Sequence, residues 1–174
     1  SELEEYNIGL DFGTFRSLAS IHTKEAIIPL LPKSNPEIKN GIPSLFYYGK
    51  KNGSVLCEEV TIQNLDIDDP SNVVRSIKMD LQNESIVLDG KSFTAQEIAV
   101  PIIKKILEYS DDALLSTSRY KRSNKAVVGV PVSFGTEKRQ KLIQILEGAG
   151  LINPKLLPEP CAAALYYTHI HPNT

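Results

Sequence analysis

The sequence predicts a mixed α/β domain that is interrupted by an insertion. Residues 6–12, 18–22 and 25–30 are short strand-like segments separated by tight turns, which is typical of an antiparallel meander. Towards the other end, the nearly continuous apolar segment KAVVGVPV indicates a strand buried on both faces, and it begins a strand–helix–strand–helix order. The residues between these two regions carry hairpin and helix signals of their own, and we expect them to form the insertion.

Composition and charge describe an ordinary globular protein. Hydrophobic residues make up 41% of the 174 residues, and the formal net charge is -2. This charge gives no reason to expect nucleic acid or an anionic membrane as a partner, and no apolar run approaches the roughly 20 residues that span a bilayer. The acidic start, SELEEYN, does not resemble a signal peptide. Cys57 and Cys161 fit no metal-ligand spacing and indicate two reduced, partly buried thiols, so we expect a cytoplasmic protein.

The predicted insertion begins with a loop over residues 31–41, which is rich in Pro, Asn and Gly. The segments IPSLFYYG and GSVLC then predict one hairpin, and PSNVVRSIKM predicts a short helix that starts at Pro70. The segment SIVLDGKSF predicts a second hairpin, with Asp89 and Gly90 in its turn.

Longer helices follow these hairpins. The segment TAQEIAVPIIKKILEYSDDALL opens with Thr94 and Glu97 at capping-box spacing and keeps a helical pattern of apolar residues. An interior proline costs about 3 kcal/mol, so Pro101 predicts a kink in a single helix. After KAVVGVPV we expect a helix over residues 136–148, a short strand in KLLPE and a last helix that begins near Pro160.

The stretch IGLDFGTFRS contains the first sign of a functional site. Backbone N–H groups that a tight turn at Gly13 leaves free form a concavity that suits a phosphate. Because an aspartate beside phosphates would repel them, Asp11 indicates a metal ion, or its bound waters, in between. The four-residue pattern D-x-G-T also occurs in plain hairpin turns, so taken alone it leaves both interpretations open.

Four motifs in this order, DFGT, SIK, VVGVPVSF with a following arginine, and LLPEPCAAALYY, resemble the nucleotide-binding domain of the seventy-kilodalton heat-shock chaperones. These chaperones belong to the actin-like ATPase superfamily, and the resemblance extends from about residue 6 to residue 167. It implies a ribonuclease-H-like core, a mixed sheet flanked by helices, over residues 1–30 and 120–174. A smaller inserted α+β subdomain would occupy residues 31–119. Together they would form the first of two lobes.

The resemblance also implies which residues bind the phosphates. Asp11 would hold a metal ion through water, and the backbone of Gly13, Thr14 and Phe15 would bind the phosphates. The implied cofactors are ATP or ADP with Mg²⁺, and K⁺ is a further candidate cation. Phe15 departs from the family, which usually has a second hydroxyl there, and Arg16 after it either adds a positive charge or faces solvent.

Two residues would be catalytic and two would form a switch. Lys78 would orient the attacking water and stabilise charge at the γ-phosphate, and Glu159 would face the nucleotide and the water shell of the metal. Pro131 and Arg139 would transmit the nucleotide state to a peptide-binding domain. From residue type alone, Lys78 and Arg139 are also compatible with solvated helix surfaces.

The implied activity is ATP hydrolysis that controls peptide binding in the full-length protein. The implied partners are a second ATPase lobe and a peptide-binding domain, with unfolded peptides and co-chaperones, and neither nucleic acid nor a membrane. Since the motifs of the second lobe are expected after residue 174, we expect this chain alone to be inactive. Ser133 and Cys161 replace the usual aromatic and threonine, which bears on catalytic efficiency more than on the fold.

Two other functions remain open at this stage. A sugar or metabolite kinase of the same superfamily shares the D-x-G-T turn, but Lys78 and the VPVSF and EPCAAAL motifs argue against it. A chaperone-like regulator that binds nucleotide with little turnover, or a pure interaction module, is slightly favoured by Phe15.

Overall fold

A computed structural model of the protein describes residues 2–31 and 35–159, which form both strands and helices. The strands are β1 (Glu4–Phe12), β2 (Arg16–His22), β3 (Ile27–Pro29), β4 (Ile42–Pro43), β5 (Phe46–Gly49), β6 (Gly53–Leu56), β7 (Val73–Val74), β8 (Ile86–Leu88), β9 (Lys91–Phe93), β10 (Tyr120–Val130) and β11 (Lys155–Pro158). The α-helices are α1 (Glu58–Ile62), α2 (Leu65–Asp68), α3 (Ala95–Leu115) and α4 (Thr136–Gly148).

A six-stranded mixed sheet forms the centre of the fold. Its order is β11-β10-β1-β2-β3, with β4 paired to β2. The expected antiparallel meander of β1, β2 and β3 is confirmed, whereas β10 runs parallel to both β1 and β11. Val127 and Val128 are adjacent in β10 and therefore point to opposite faces of the sheet, and they are 3% and 0% exposed, which confirms the prediction of a strand buried on both faces.

Two hairpins lie between these strands, as predicted. β5 pairs with β6, and β8 pairs with β9 through Asp89 and Gly90, whose φ angles of 45° and 77° suit a tight two-residue turn. The predicted helix at Pro70 is wrong. Only a 3₁₀ turn forms at Pro70–Asn72, because the β-branched pair Val73–Val74 extends as β7 and pairs with β5. A second 3₁₀ helix, Ile77–Asp80, follows.

Helix α3 packs against the central sheet, where it contacts β2 and β10. Thr94 accepts a hydrogen bond from the backbone of Glu97, and Glu97 accepts one in return, so the predicted capping box is confirmed. Pro101 lies inside this single helix, as expected. The fully buried Ile98, which belongs to α3, joins the strands in one hydrophobic core. α4 is also confirmed, and the helix predicted near residue 160 lies outside the described residues.

Cys57 is fully buried rather than partly buried, and burial raises the pKa of its thiol to about 12. Cys161 lies outside the described residues. Within residues 2–31 and 35–159, no helix combines the length and the apolar composition needed to cross a membrane.

The capping box gives a direct test of how much α3 contributes to stability. We expect Thr94→Ala to lower the free energy of unfolding by about 1 kcal/mol, because a backbone N–H of the first turn loses its acceptor. A loss of this size lowers the melting temperature by about 2–4 °C in a domain of this length. Thr136→Ala is the matched control, since Thr136 is exposed and opens α4 without a side-chain cap. Equal melting temperatures for the two variants would contradict the expectation.

Candidate functional site

The candidate site lies where three parallel strands end. Asp11 is near the end of β1, Pro131 follows β10 and Glu159 follows β11. The register sets Leu10 beside Val128 and Val130 beside Pro158, so the carboxyl ends of these strands meet at one edge of the sheet. Open α/β sheets bind ligands at this edge.

Lys78 reaches this edge from the 3₁₀ helix Ile77–Asp80. Its Nζ lies 2.9 Å from Oε1 of Glu159, and its side chain is 4% exposed while that of Glu159 is 43% exposed. Burial excludes the alternative interpretation of Lys78 as a solvated helix residue. The two predicted catalytic residues therefore form one ion pair, which joins residues 81 positions apart in the sequence.

Asp11 faces the same pair of charges. Its side chain is exposed overall, but partial burial of the carboxyl raises its pKa above the ordinary value. The positive charge of Lys78 opposes this rise in pKa, and the negative charge of Glu159 adds to it. The carboxyl of Asp11 therefore lacks full compensation for the water that it has lost.

The turn between β1 and β2 needs a glycine for its own geometry. Phe12 pairs with Ser17, so residues 13–16 form the turn. A Cβ atom on Gly13 would lie 2.1 Å from the carbonyl oxygen of Arg16, which is closer than any real contact. A side chain at Gly13 would therefore disrupt the turn itself. The binding of phosphate by the backbone of Gly13, Thr14 and Phe15 stays a prediction.

The next segment of chain holds this turn in place. The N–H of Ser44 donates to the carbonyl of Phe15 at 2.9 Å, and Nη1 of Arg16 donates to the carbonyl of Gly41 at 3.0 Å. The hydroxyls of Ser17 and Ser44 lie 2.9 Å apart in a buried hydrogen bond. Arg16 is thus exposed and also bonded to the backbone, while the ring of Phe15 is 71% exposed.

Phe134 links Lys78 to the predicted switch residues. Its ring lies 5.8 Å from Nζ of Lys78, its N–H donates to the carbonyl of Pro131 at 3.0 Å, and its carbonyl accepts from Nε of Arg139 at 3.0 Å. Sequence reasoning missed Phe134, although it belongs to the quoted motif VPVSF. The hydrogen bond excludes the interpretation of Arg139 as merely an exposed charge. The role of Pro131 and Arg139 as a switch stays a prediction.

The unequal exposure of the ion pair predicts unequal effects of its two partners on stability. Lys78→Met leaves Glu159 half-exposed to water, so we expect a loss of less than about 1 kcal/mol. Glu159→Gln removes the paired counter-charge of a buried ammonium and leaves only the charge of Asp11 nearby, and we expect a loss of about 1–3 kcal/mol, less than for a fully buried pair. Denaturant unfolding of both variants measures the difference, and a larger loss for Lys78→Met would contradict this account.

The raised pKa of Asp11 predicts a pH-dependent effect on stability. A carboxyl whose pKa rises on folding stabilises the protein below its unfolded pKa of about 3.9, and this contribution is lost as the pH rises through the folded pKa. At pH 7 the ionised carboxyl is therefore destabilising. We expect Asp11→Asn to melt at a higher temperature than the wild type at pH 7, with the difference shrinking towards pH 4. Glu84→Gln, an exposed site, is the control; a lower melting temperature for Asp11→Asn at pH 7 would refute the expectation.

Comparisons with known proteins agree with the motifs at this edge. The sequence model of the family described as "Hsp70 protein" matches residues 58–170. The chaperone protein DnaK of Ureaplasma urealyticum serovar 10 is 32% identical over 94% of the chain, and the DnaK of Thermotoga maritima is 29% identical over 96%. The chain spans about a quarter of these relatives, 26% and 27% of their lengths. Since the family match covers more than half of the sequence, the chain belongs to the Hsp70 family.

Proposed function

We propose that this chain is the N-terminal lobe of the ATP-binding domain of a heat-shock-type chaperone, whose full-length protein hydrolyses ATP to control its hold on peptides. The observation that carries the proposal is the Lys78–Glu159 ion pair, 2.9 Å across, beside Asp11 at the carboxyl edge of the sheet. Phosphoryl transfer depends mainly on positioning and on compensation of charge, and this arrangement offers a fixed cation and two carboxylates.

The domain assignment is part of the proposal. Strands β1, β2, β3, β10 and β11 of the central sheet all lie in residues 1–30 and 120–174, which we assign to a ribonuclease-H-like core of the actin-like ATPase type. The hairpins and α1 to α3 lie in residues 31–119, the proposed inserted subdomain. Lys78 belongs to the insertion and Glu159 to the core, so the proposed catalytic pair joins the two parts.

The donor set at this edge fits magnesium with a nucleotide. Mg²⁺ usually binds through one or two carboxylates together with phosphates and several waters. Asp11 is an exposed carboxylate whose desolvation is not fully compensated, so a hydrated cation would lower its free energy. Bound Mg²⁺ would neutralise charge on the phosphates of ATP. K⁺ stays a prediction.

Each residue of the proposed site then has a defined role in the reaction. The buried ammonium of Lys78 stabilises negative charge that develops on the transferred phosphoryl group. Glu159 holds that ammonium in place, and its exposed part faces the water that attacks. Backbone N–H groups of residues 13–15 donate hydrogen bonds to the phosphates and hold them in position. Phe134 connects Lys78 to Pro131 and Arg139, which we propose as the switch towards the peptide-binding domain.

A regulator that binds nucleotide with little turnover is the second candidate function. The exposed ring of Phe15, 71% accessible, takes the place of a hydroxyl beside the phosphates and favours this alternative. The sugar or metabolite kinase finds no such support in the site. In either case we propose the second ATPase lobe, the peptide-binding domain, unfolded peptides and co-chaperones as partners, and a cytoplasmic location stays a prediction.

Lys78→Met in the full-length protein tests the proposal. We expect single-turnover ATP hydrolysis to fall by at least about 100-fold, while ATP affinity changes by no more than a few fold, because the ammonium acts mainly in the transition state. Lys121→Met is the matched control, since Lys121 is an exposed lysine on β10 with a surface ion pair to Glu5. A rate for Lys78→Met above about a tenth of wild type, a difference of roughly 1.4 kcal/mol, would contradict the role of Lys78.

Measurements of ATP hydrolysis and of ATP binding by the full-length protein separate the two candidate functions. A chaperone ATPase should hydrolyse ATP faster when an unfolded peptide is added to the full-length protein. A regulator should bind ATP in calorimetry yet show no hydrolysis above background with or without peptide.

A further inference from the structure

The ammonium of Lys78 lies beside an aromatic ring as well as a carboxylate. Oε1 of Glu159 accepts its hydrogen bond at 2.9 Å, and the centroid of the Phe134 ring lies 5.8 Å from Nζ. An ammonium over an aromatic face within about 6 Å of the centroid is attracted by the negative potential of that face. Because the side chain of Lys78 is 4% exposed and Phe134 is 7% exposed, little water screens this attraction.

Glu159 alone does not fix the direction of the ammonium. The bond uses one carboxylate oxygen, and the side chain of Glu159 is 43% exposed. A lysine carries a compact charge on a flexible four-carbon stem, with three donors that rotate, so it lacks the fixed geometry of an arginine. A single partner that is itself half in water therefore holds the two charges together but leaves the other donors of Lys78 undirected.

The ring of Phe134 is the more rigid neighbour. The N–H of Phe134 donates to the carbonyl of Pro131, and its carbonyl accepts from Nε of Arg139, each at 3.0 Å. Its side chain belongs to the main hydrophobic core. Close packing in a core restricts a side chain to few rotamers, so the ring offers Lys78 a surface whose position is set by the fold.

A ring also suits the chemistry of this position better than a second carboxylate. It attracts the ammonium without carrying a negative charge, so the positive charge of Lys78 is not cancelled and stays available to a transferred phosphoryl group. The ammonium has three N–H donors, of which Glu159 takes one. The ring faces the ammonium from one side and leaves at least one donor for a phosphate oxygen.

We propose that the ring of Phe134 is a positioning element for Lys78: Glu159 supplies the counter-charge, and Phe134 sets the direction in which the remaining N–H donors point. The consequence for catalysis rests on the proposed function, whereas the contact between ring and ammonium does not. Lys138 of α4 also lies near this ring, with Nζ 5.3 Å from its centroid, so the test has to separate the two lysines.

The first measurement tests the contact without relying on activity. A phenylalanine with one ring fluorine replaces Phe134 in the full-length protein, and fluorine NMR records its resonance. We expect Lys78→Met to shift this resonance, because the charge beside the ring is lost. Lys121→Met is the control, since Lys121 pairs with Glu5 on the surface and should leave the resonance unchanged. A resonance that moves with Lys138→Met but not with Lys78→Met overturns the inference.

The second measurement tests positioning through the charge distribution of the ring. Phenylalanines with one, two and three ring fluorines keep nearly the size of Phe134, but each fluorine makes the ring face less negative. We expect single-turnover ATP hydrolysis to fall with each added fluorine, to about a tenth of the wild-type rate with three, while ATP affinity changes by no more than a few fold. A side chain that only fills space would not produce this series.

Phe93 provides the matched control for this series. It is buried, and Nζ of Lys91 lies 5.0 Å from the centroid of its ring, so it has the same kind of contact on strand β9. The same replacements at Phe93 should leave the hydrolysis rate unchanged, and melting curves establish that every variant is folded.

The two measurements separate this inference from the proposed function. Equal rates across the fluorine series at Phe134, in a protein that hydrolyses ATP, overturn the positioning role while the proposed function stands. A resonance shift in Lys78→Met, in a protein without hydrolysis, supports the placement of the ammonium by the ring, and then only the proposed function fails. Absence of the shift overturns the inference in either protein.

Discussion

The arrangement of the site depends on the partner that Lys78 finds in Glu159. A lysine whose side chain is only 4% exposed needs a counter-charge near its ammonium, since burial of an unpaired charge is among the most unfavourable events in folding. Glu159 supplies it just after the end of β11, while Lys78 comes from the 3₁₀ helix Ile77–Asp80. The ion pair therefore joins this 3₁₀ helix to the edge of the central sheet. Asp11 then lies near the positive charge of Lys78 and the negative charge of Glu159, in addition to carrying its own negative charge.

Close backbone contacts also constrain the neighbouring turn between β1 and β2. Gly13 sits so close to the carbonyl of Arg16 that no other residue fits, and the bonds from Ser44 and Arg16 tie the turn to residues 41–44. These contacts hold the turn in one shape. If its N–H groups bind phosphate, as we propose, donors held in place in this way would lose little entropy on binding.

The sequence predicted those features whose causes are local. Positive φ angles at Asp89 and Gly90, the capping box at Thr94 and the double burial of β10 follow from neighbouring residues, and all are confirmed. The helix predicted at Pro70 was wrong, because β7 forms only through pairing with β5, a partner distant in sequence. Burial of Lys78 and its bond to Glu159 likewise arise from contacts across the fold. Motif resemblance named both residues but could not give their geometry.

Under the proposed function, this arrangement of charges should be more stable with a cation than without one. Asp11 and Glu159 carry two negative charges against the single positive charge of Lys78, and the pKa of Asp11 is raised by burial and by Glu159. Without a further positive charge, this arrangement carries electrostatic free energy that the fold does not fully relieve. A ligand that brought a hydrated cation to Asp11 would relieve it, and by linkage any ligand that binds only the folded state raises stability. The carboxylate that lowers the stability of the free protein would thus strengthen the binding of the proposed metal-bound nucleotide.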